Sequence, residues 1–129
     1  GQIALVSSLA AFSAWPSPPS YSASKAAVRI YGESLRGSLR GTGVQVSVIC
    51  PGFVKSRMTD VNDYPMPFLM APEKSARIIA KGLAKNRVRI AFPFPTYFMT
   101  GLVALMPPGL SEMILTKLPK KPSFHAVKD

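Results

Sequence analysis

Tyr21 and Lys25 are the residues whose chemistry is easiest to name. They stand four apart in Tyr21-Ser22-Ala23-Ser24-Lys25, and on a helix that spacing puts both side chains on one face, one turn apart. An ammonium beside a phenol favours the phenolate, and the positive end of a helix dipole acts in the same direction. A tyrosine in that setting can give and take a proton. Thirteen residues earlier Ser8 closes an apolar run. If that run is a strand of a parallel sheet, its C-terminal end is where such sheets place ligands. A hydroxyl there could hydrogen-bond the same substrate oxygen. Each signal alone is weak, because Tyr-x-x-x-Lys pairs arise by chance on many helix surfaces. Their combination, in one structural context, carries the information.

That context has to be built by the neighbouring elements. Ile3–Val6 is a short apolar run that suits a strand buried on both faces of a parallel sheet. Residues 9–20 read as loop, since Pro16, Pro18 and Pro19 exclude a regular helix. Ser20 is the expected N-cap of a helix over 21–40. Its stripe is Ala23, Ala26, Ala27, Ile30, Tyr31, Ser34, Leu35 and Leu39, at steps of three and four. Gly41 and Gly43 end it. Val44–Cys50 is β-branched and apolar, a second strand. Strand, helix and strand make a βαβ unit, so the strands are expected to be parallel with a right-handed crossover. Pro51-Gly52 breaks the strand, and 53–71 reads as a long irregular stretch. A helix follows from Pro72 to about Lys85, expected to bury Ala76, Ile79, Ala80 and Leu83. Val88–Phe92 is a third strand.

Ile90–Leu110 holds no charge over 21 residues, long enough to raise the question of a membrane span. Pro93, Pro95, Pro107 and Pro108 interrupt it. The uninterrupted part, Thr96–Met106, would rise only about 16 Å as a helix, half a bilayer core. It reads as a buried or interface helix, followed by an amphipathic helix over 109–118 and a basic tail over 119–129.

The composition narrows the classes. Hydrophobic residues make up 47% and charged residues 17%, which is not the balance of a disordered chain. One cysteine, Cys50, cannot form an internal disulfide and suits a small buried hydrophobe in a reducing compartment. One cysteine and one histidine, His125, make no standard metal site. The net charge of +10 is spread along the chain rather than gathered in an aromatic-interleaved stripe, so nucleic-acid binding is not expected.

With these residues set out, the chain resembles the short-chain dehydrogenase/reductase family. The resemblance rests on Ser8, on Tyr21 and Lys25, and on a following strand that ends in Pro51-Gly52. The surrounding segments Ser7-Ser8-Leu9-Ala10-Ala11 and Cys50-Pro51-Gly52-Phe53-Val54-Lys55-Ser56 are similar in style, and the likeness covers roughly residues 1–92. It implies an α/β fold, a partial doubly wound parallel sheet (the C-terminal half of a Rossmann-type fold) with C-terminal helices. Residues 1–92 would be the C-terminal part of a dinucleotide-binding catalytic domain, and 93–129 an apolar helical extension with a basic tail. The implied activity is hydride transfer between NAD or NADP and a small-molecule carbonyl or alcohol. Tyr21 would be the general acid/base. Lys25 would assist it and hold the nicotinamide ribose. Ser8 would polarise the substrate carbonyl. Pro51, Gly52, Val54 and Ser56, where the family often has threonine, would meet the nicotinamide carboxamide. Residues 57–71 would form a substrate lid.

The resemblance also says what is missing. The family's glycine-rich turn after the first strand, its residue selecting NAD or NADP, and a relay asparagine cannot be placed in these 129 residues. Family members are about twice this length. The chain is therefore expected to be a C-terminal half, incomplete and inactive alone, with an uncovered face on helix 21–40. Pairing of a homo-oligomer through that helix, a cytoplasmic location and a peripheral membrane contact through 96–118 complete the expectations. The alternative is a truncated, non-catalytic chain that acts as an interaction or membrane-peripheral module.

Overall fold

The computed structural model describes residues 1–16, 18–60 and 65–118. The chain runs β1 (Gln2–Val6), a 3-10 turn (Leu9–Phe12), α1 (Pro19–Ser38), β2 (Gln45–Pro51), α2 (Arg57–Asp60), α3 (Pro72–Ala84), β3 (Arg89–Phe92), α4 (Phe94–Ala104) and α5 (Pro108–Thr116). The three strands form one parallel sheet in the order β1-β2-β3. Its register sets Val6 beside Ile49 and Cys50 beside Ala91. The α/β class and the parallel pairing agree with the sequence reading. The expected basic tail, 119–129, and residues 61–64 of the expected lid lie outside the described residues.

Strand β2 is central, and its residues Val46 to Cys50 are buried. The side-chain alternation of a strand divides them between two cores. Val48 and Cys50 pack with Leu9, Phe12, Ala91 and Tyr97 on one face. Ile49 packs with Met70, Ile90, Phe92 and the inner side chains of α3 on the other. Helix α1 lies on the first face and α3 on the second. Both approach closely through a glycine. A Cβ on Gly32 would stand 2.5 Å from Val48 Cγ2, and one on Gly82 would stand 2.6 Å from Ile90 Cδ1. Gly32→Val is therefore expected to lower stability by about 1–3 kcal/mol through overpacking. Thermal melting would measure it, and an unchanged midpoint would mean the helix can back away from the strand at no cost.

Several local expectations are corrected. The first helix starts at Pro19, not after Ser20; its N-cap is Pro18 and no side chain caps it. Proline's fixed φ and missing N–H suit the first turn, where the N–H has no helical partner. The loop over 9–20 contains a 3-10 turn, capped by Ser8. The irregular 53–71 stretch contains α2 and a parallel bridge between Val54 and Met70. Helix α3 turns Ser75, Ile78, Ile79, Gly82 and Leu83 inward, while Ala76 and Ala80 are exposed. The Gly82 contact with Ile90 sets that rotation, since it lets the helix axis come nearest the sheet at a residue without a side chain. The third strand begins at Arg89, although the Val88 carbonyl still accepts from Val48 N–H at 2.9 Å. Gly41 and Gly43 carry φ of 87° and 83° beyond the end of α1, a conformation that costs glycine little.

The stripe on α1 is also reassigned. The side turned to the sheet and the 3-10 turn is formed by Ser22, Gly32 and the half-buried Arg29, Glu33 and Arg36. Ala23, Ala27, Ile30, Tyr31 and Ser34 face outward. These five residues of the stripe are exposed, while Ala26, Leu35 and Leu39 are half-buried.

Candidate active site

The C-terminal end of β1 and the first turns of α1 meet at Ser7, Ser8, Tyr21 and Lys25. Ser7 N–H donates to the Ile49 carbonyl at 2.7 Å, continuing the sheet by one residue. Its hydroxyl, buried, donates to the Lys25 carbonyl at 2.7 Å. This bond ties the end of the strand to the second turn of the helix. Lys25 Nζ donates back to the Val6 carbonyl at 3.4 Å and lies 5.8 Å from the Tyr21 ring centroid. The expected proximity of ammonium and phenol is thus present, at the C-terminal end of the parallel strands. Tyr21 is 41% exposed. Ser8 accepts from Ala10 N–H at 3.1 Å. That bond uses the oxygen as acceptor and leaves the hydroxyl proton for donation elsewhere.

The segment after β2 presents backbone rather than side chains. Gly52 N–H donates to the Phe92 carbonyl at 2.7 Å, so this group is committed to the sheet. A Cβ on Gly52 would stand 2.9 Å from Pro93 Cδ and 3.3 Å from Leu9 Cδ1, which is why glycine stands there. Met70 N–H donates to the Phe53 carbonyl and Lys55 N–H to the Met70 carbonyl, both at 2.9 Å. These two bonds bracket Val54 and leave its own N–H and carbonyl directed to the opposite side of the strand. Ser56 opens α2. Its hydroxyl accepts from Thr59 N–H at 3.4 Å, while Ser56 N–H donates to Thr59 Oγ1 at 2.8 Å, the reciprocal pattern of a capping box.

A network that the sequence reading missed joins the 3-10 turn to α1, β3 and α4. Glu33 accepts from Arg89 Nε at 2.7 Å and pairs with Arg29 at 3.4 Å. Both guanidiniums lie over the Phe12 ring, Arg29 at 4.6 Å and Arg89 at 4.8 Å. Tyr97 meets the same ring edge-on at 5.5 Å and accepts from Arg89 at 3.0 Å. Burial works against the Arg89 charge, yet the Tyr97 hydroxyl and the Glu33 carboxylate outweigh it and hold the guanidinium above its ordinary value. Arg29 and Glu33 continue the four-residue steps of Tyr21 and Lys25 and could have been found on α1. Nothing in the sequence pairs them with Phe12 or Arg89.

Cys50 lies beneath this network, fully buried. Burial pushes its thiol from 9.0 up to about 11, opposed in part by the Arg89 charge and the Ser7 hydroxyl. The folded chain therefore holds the proton more tightly than the unfolded one. The associated stability is complete below pH 9.0 and is lost as pH rises towards about 11. Alkylation of Cys50 at neutral pH is expected to be slow in the native protein and fast in denaturant. Equal rates would contradict the burial.

A cleft of about 640 Å³ lies between Trp15, the first turns of α1 and the α4–α5 connection. It is lined by Ala23, Val103 and Met106 among others, but not by Ser8, Tyr21 or Lys25. Of the three candidate catalytic residues, Tyr21 is exposed and Ser8 and Lys25 are half-buried. Among the described residues no cluster of metal-ligating side chains is found.

The profile of the short chain dehydrogenase family matches residues 1–65, and the chain belongs to that family. An oxidoreductase of Myxococcus xanthus is 40% identical over 118 residues, which are 92% of this chain and 47% of the relative. A short chain dehydrogenase from Burkholderia cenocepacia, solved in complex with NADP, is 27% identical with a TM-score of 0.73. The match covers 89% of this chain and 47% of that one. A short-chain dehydrogenase from Sphingobium yanoikuyae, solved with NADPH, shares the fold at 16% identity, with a TM-score of 0.67 over 92% of this chain and 46% of that one. The chain thus spans about half the length of the relatives it matches.

Proposed function

We propose that this chain is the catalytic C-terminal half of a nicotinamide-dependent oxidoreductase that interconverts a carbonyl and an alcohol. The observation that carries the reading is the joint placement of Tyr21 and Lys25 beside the end of β1, with the ammonium 5.8 Å from the phenol ring. The donor set fits the cofactor: an exposed phenol and an ammonium suit ribose hydroxyls, and Val54 offers one backbone donor and one acceptor to a carboxamide. Ser56 and the Pro51-Gly52 turn shape the same segment, with Gly52 acting through close packing rather than through its N–H. A bound NADH or NADPH would supply the hydride. In reduction, with that hydride delivered to the carbonyl carbon, Tyr21 would donate its proton to the substrate oxygen. Ser8 donates a hydrogen bond to the same oxygen, and Lys25 favours the phenolate that remains. In oxidation each transfer is reversed.

Residues 1–92 are read as the catalytic portion and 93–129 as an extension. Residues 57–71 are read as the lid. The test is nicotinamide oxidation by the full-length protein over a panel of apolar ketones and aldehydes, with NADH and NADPH in parallel. Absence of both turnover and cofactor binding would refute the reading and favour the non-catalytic alternative. The outward face of α1, with Ile30 and Tyr31 exposed, is read as the pairing surface of a homo-oligomer.

A second reading, compatible with the first, concerns the membrane. No helix among the described residues is long and apolar enough to cross one. Yet α4, its C-cap Leu105 and α5 expose Phe94 (72%), Phe98, Leu105 (85%) and Met113, and Lys117, Lys120, Lys121 and Lys128 follow in the sequence. An exposed apolar face beside basic residues is the pattern of interfacial attachment to anionic lipid. Phe98→Ser/Leu105→Ser is expected to abolish co-sedimentation with phosphatidylserine vesicles. Equal sedimentation of variant and wild type would remove this reading.

A further inference from the structure

The two proposed catalytic elements are held by different parts of the chain. Tyr21 and Lys25 belong to α1, whereas Ser8 caps the 3-10 turn Leu9–Phe12. On its N-terminal side Ser8 is tied to α1 by the bond from the Ser7 hydroxyl to the Lys25 carbonyl; on its other side its position depends on how the turn docks, and the far end of the turn is Phe12. Two guanidiniums lie within 5 Å of the Phe12 ring, Arg29 at 4.6 Å and Arg89 at 4.8 Å. Two cations on one ring repel each other, and each loses hydration by partial burial; the Arg29 and Arg89 side chains are 18% and 31% exposed. The Glu33 carboxylate answers both, with one oxygen towards Arg29 and the other towards Arg89. Among the described residues Arg29 Nε is buried without a hydrogen-bond partner, and the guanidinium is held by Nη1 on Glu33 at 3.4 Å. Cation–ring attraction is strengthened by desolvation, and the Tyr97 edge closes the ring's surroundings. Ser13 Oγ, one residue on, donates to the Thr100 carbonyl at 3.0 Å.

We propose that Glu33 is a positioning residue: by holding Arg29 and Arg89 over Phe12 it fixes the 3-10 turn, and with it the Ser8 hydroxyl, against the helix that carries Tyr21 and Lys25. The proposal rests on the oxidoreductase reading for its catalytic consequence, but its structural half stands apart from it. Removing the carboxylate's charge leaves two cations at one ring without the anion that pairs with both. The turn then loses its anchor at Phe12 while Ser8, Tyr21 and Lys25 remain chemically intact. A displacement of about 1 Å at a reacting group costs up to about 100-fold in rate.

The test uses Glu33→Gln, Glu33→Gln/Arg29→Met and Phe12→Leu in the full-length protein, with two readouts. The first is amide hydrogen exchange of residues 9–13, with β2 as internal control. The second is kcat and KM for carbonyl reduction. Glu33→Gln is expected to speed exchange in 9–13 but not in β2, and to lower kcat by about 10–100-fold with the cofactor KM unchanged. Deleting one of the two cations in the double variant is expected to recover part of that loss, and Phe12→Leu, which keeps every charge, is expected to reproduce it. Unchanged exchange in 9–13, faster exchange with unchanged kcat, or absence of rescue would each overturn the proposal. If Glu33→Gln does not fold, Phe12→Leu decides by the same two readouts. Retained turnover in Tyr21→Phe would refute the oxidoreductase mechanism instead, and faster exchange in 9–13 would still report the clamp.

Discussion

Tyr21→Phe is expected to lower kcat by about 10²–10⁴-fold, the usual contribution of a positioned general acid/base. The substitution removes one oxygen and leaves the ring, so packing changes little at a residue that is already 41% exposed. The helix start does not depend on it either: the Tyr21 backbone N–H bonds the Pro18 carbonyl and its carbonyl accepts from Ser24. Cofactor affinity should therefore fall by no more than a few-fold, the scale of a single neutral hydrogen bond. Steady-state kinetics together with a cofactor titration separate the two effects. A variant that keeps wild-type kcat would remove Tyr21 from the chemistry altogether.

Lys25→Met should affect both quantities. Methionine keeps an unbranched stem but loses the charge and three donors. The ammonium has two proposed tasks, favouring the phenolate and holding ribose hydroxyls. Hydrogen bonds from a charged group are worth about 1.5–3 kcal/mol, so kcat and cofactor affinity are each expected to fall by about 10–100-fold. The comparison with Tyr21→Phe is the informative part, because one variant leaves cofactor binding nearly intact and the other does not. Normal cofactor affinity together with normal kcat in Lys25→Met would restrict the lysine to its structural bond with the Val6 carbonyl.

Much of this was legible along the chain because it is local. Tyr21 and Lys25 are neighbours by helical geometry alone, and Ser8 is carried to them by one short connection. The β-branched run before Pro51 could only be a buried strand, and the βαβ order then required parallel pairing. Where the reading slipped, a distant contact had decided. Ala76 and Ala80 point outward because Gly82 meets Ile90 across the sheet. The Gly52 N–H pairs with the carbonyl of Phe92, forty residues on, a partner that no local pattern announces.

By itself, then, the sequence determined the elements, the family resemblance and the pairing of phenol with ammonium. Each follows from periodicity or from spacing within one helix, where covalent geometry fixes the neighbours. Only the tertiary structure decided which face of α1 is buried, how Val54 presents its backbone, and that Phe12, Arg29, Glu33, Arg89 and Tyr97 converge. These contacts join residues from four elements. Their meeting depends on how closely glycines let helices approach the sheet and on which charges find a partner once water is excluded, and neither quantity is written in any local pattern.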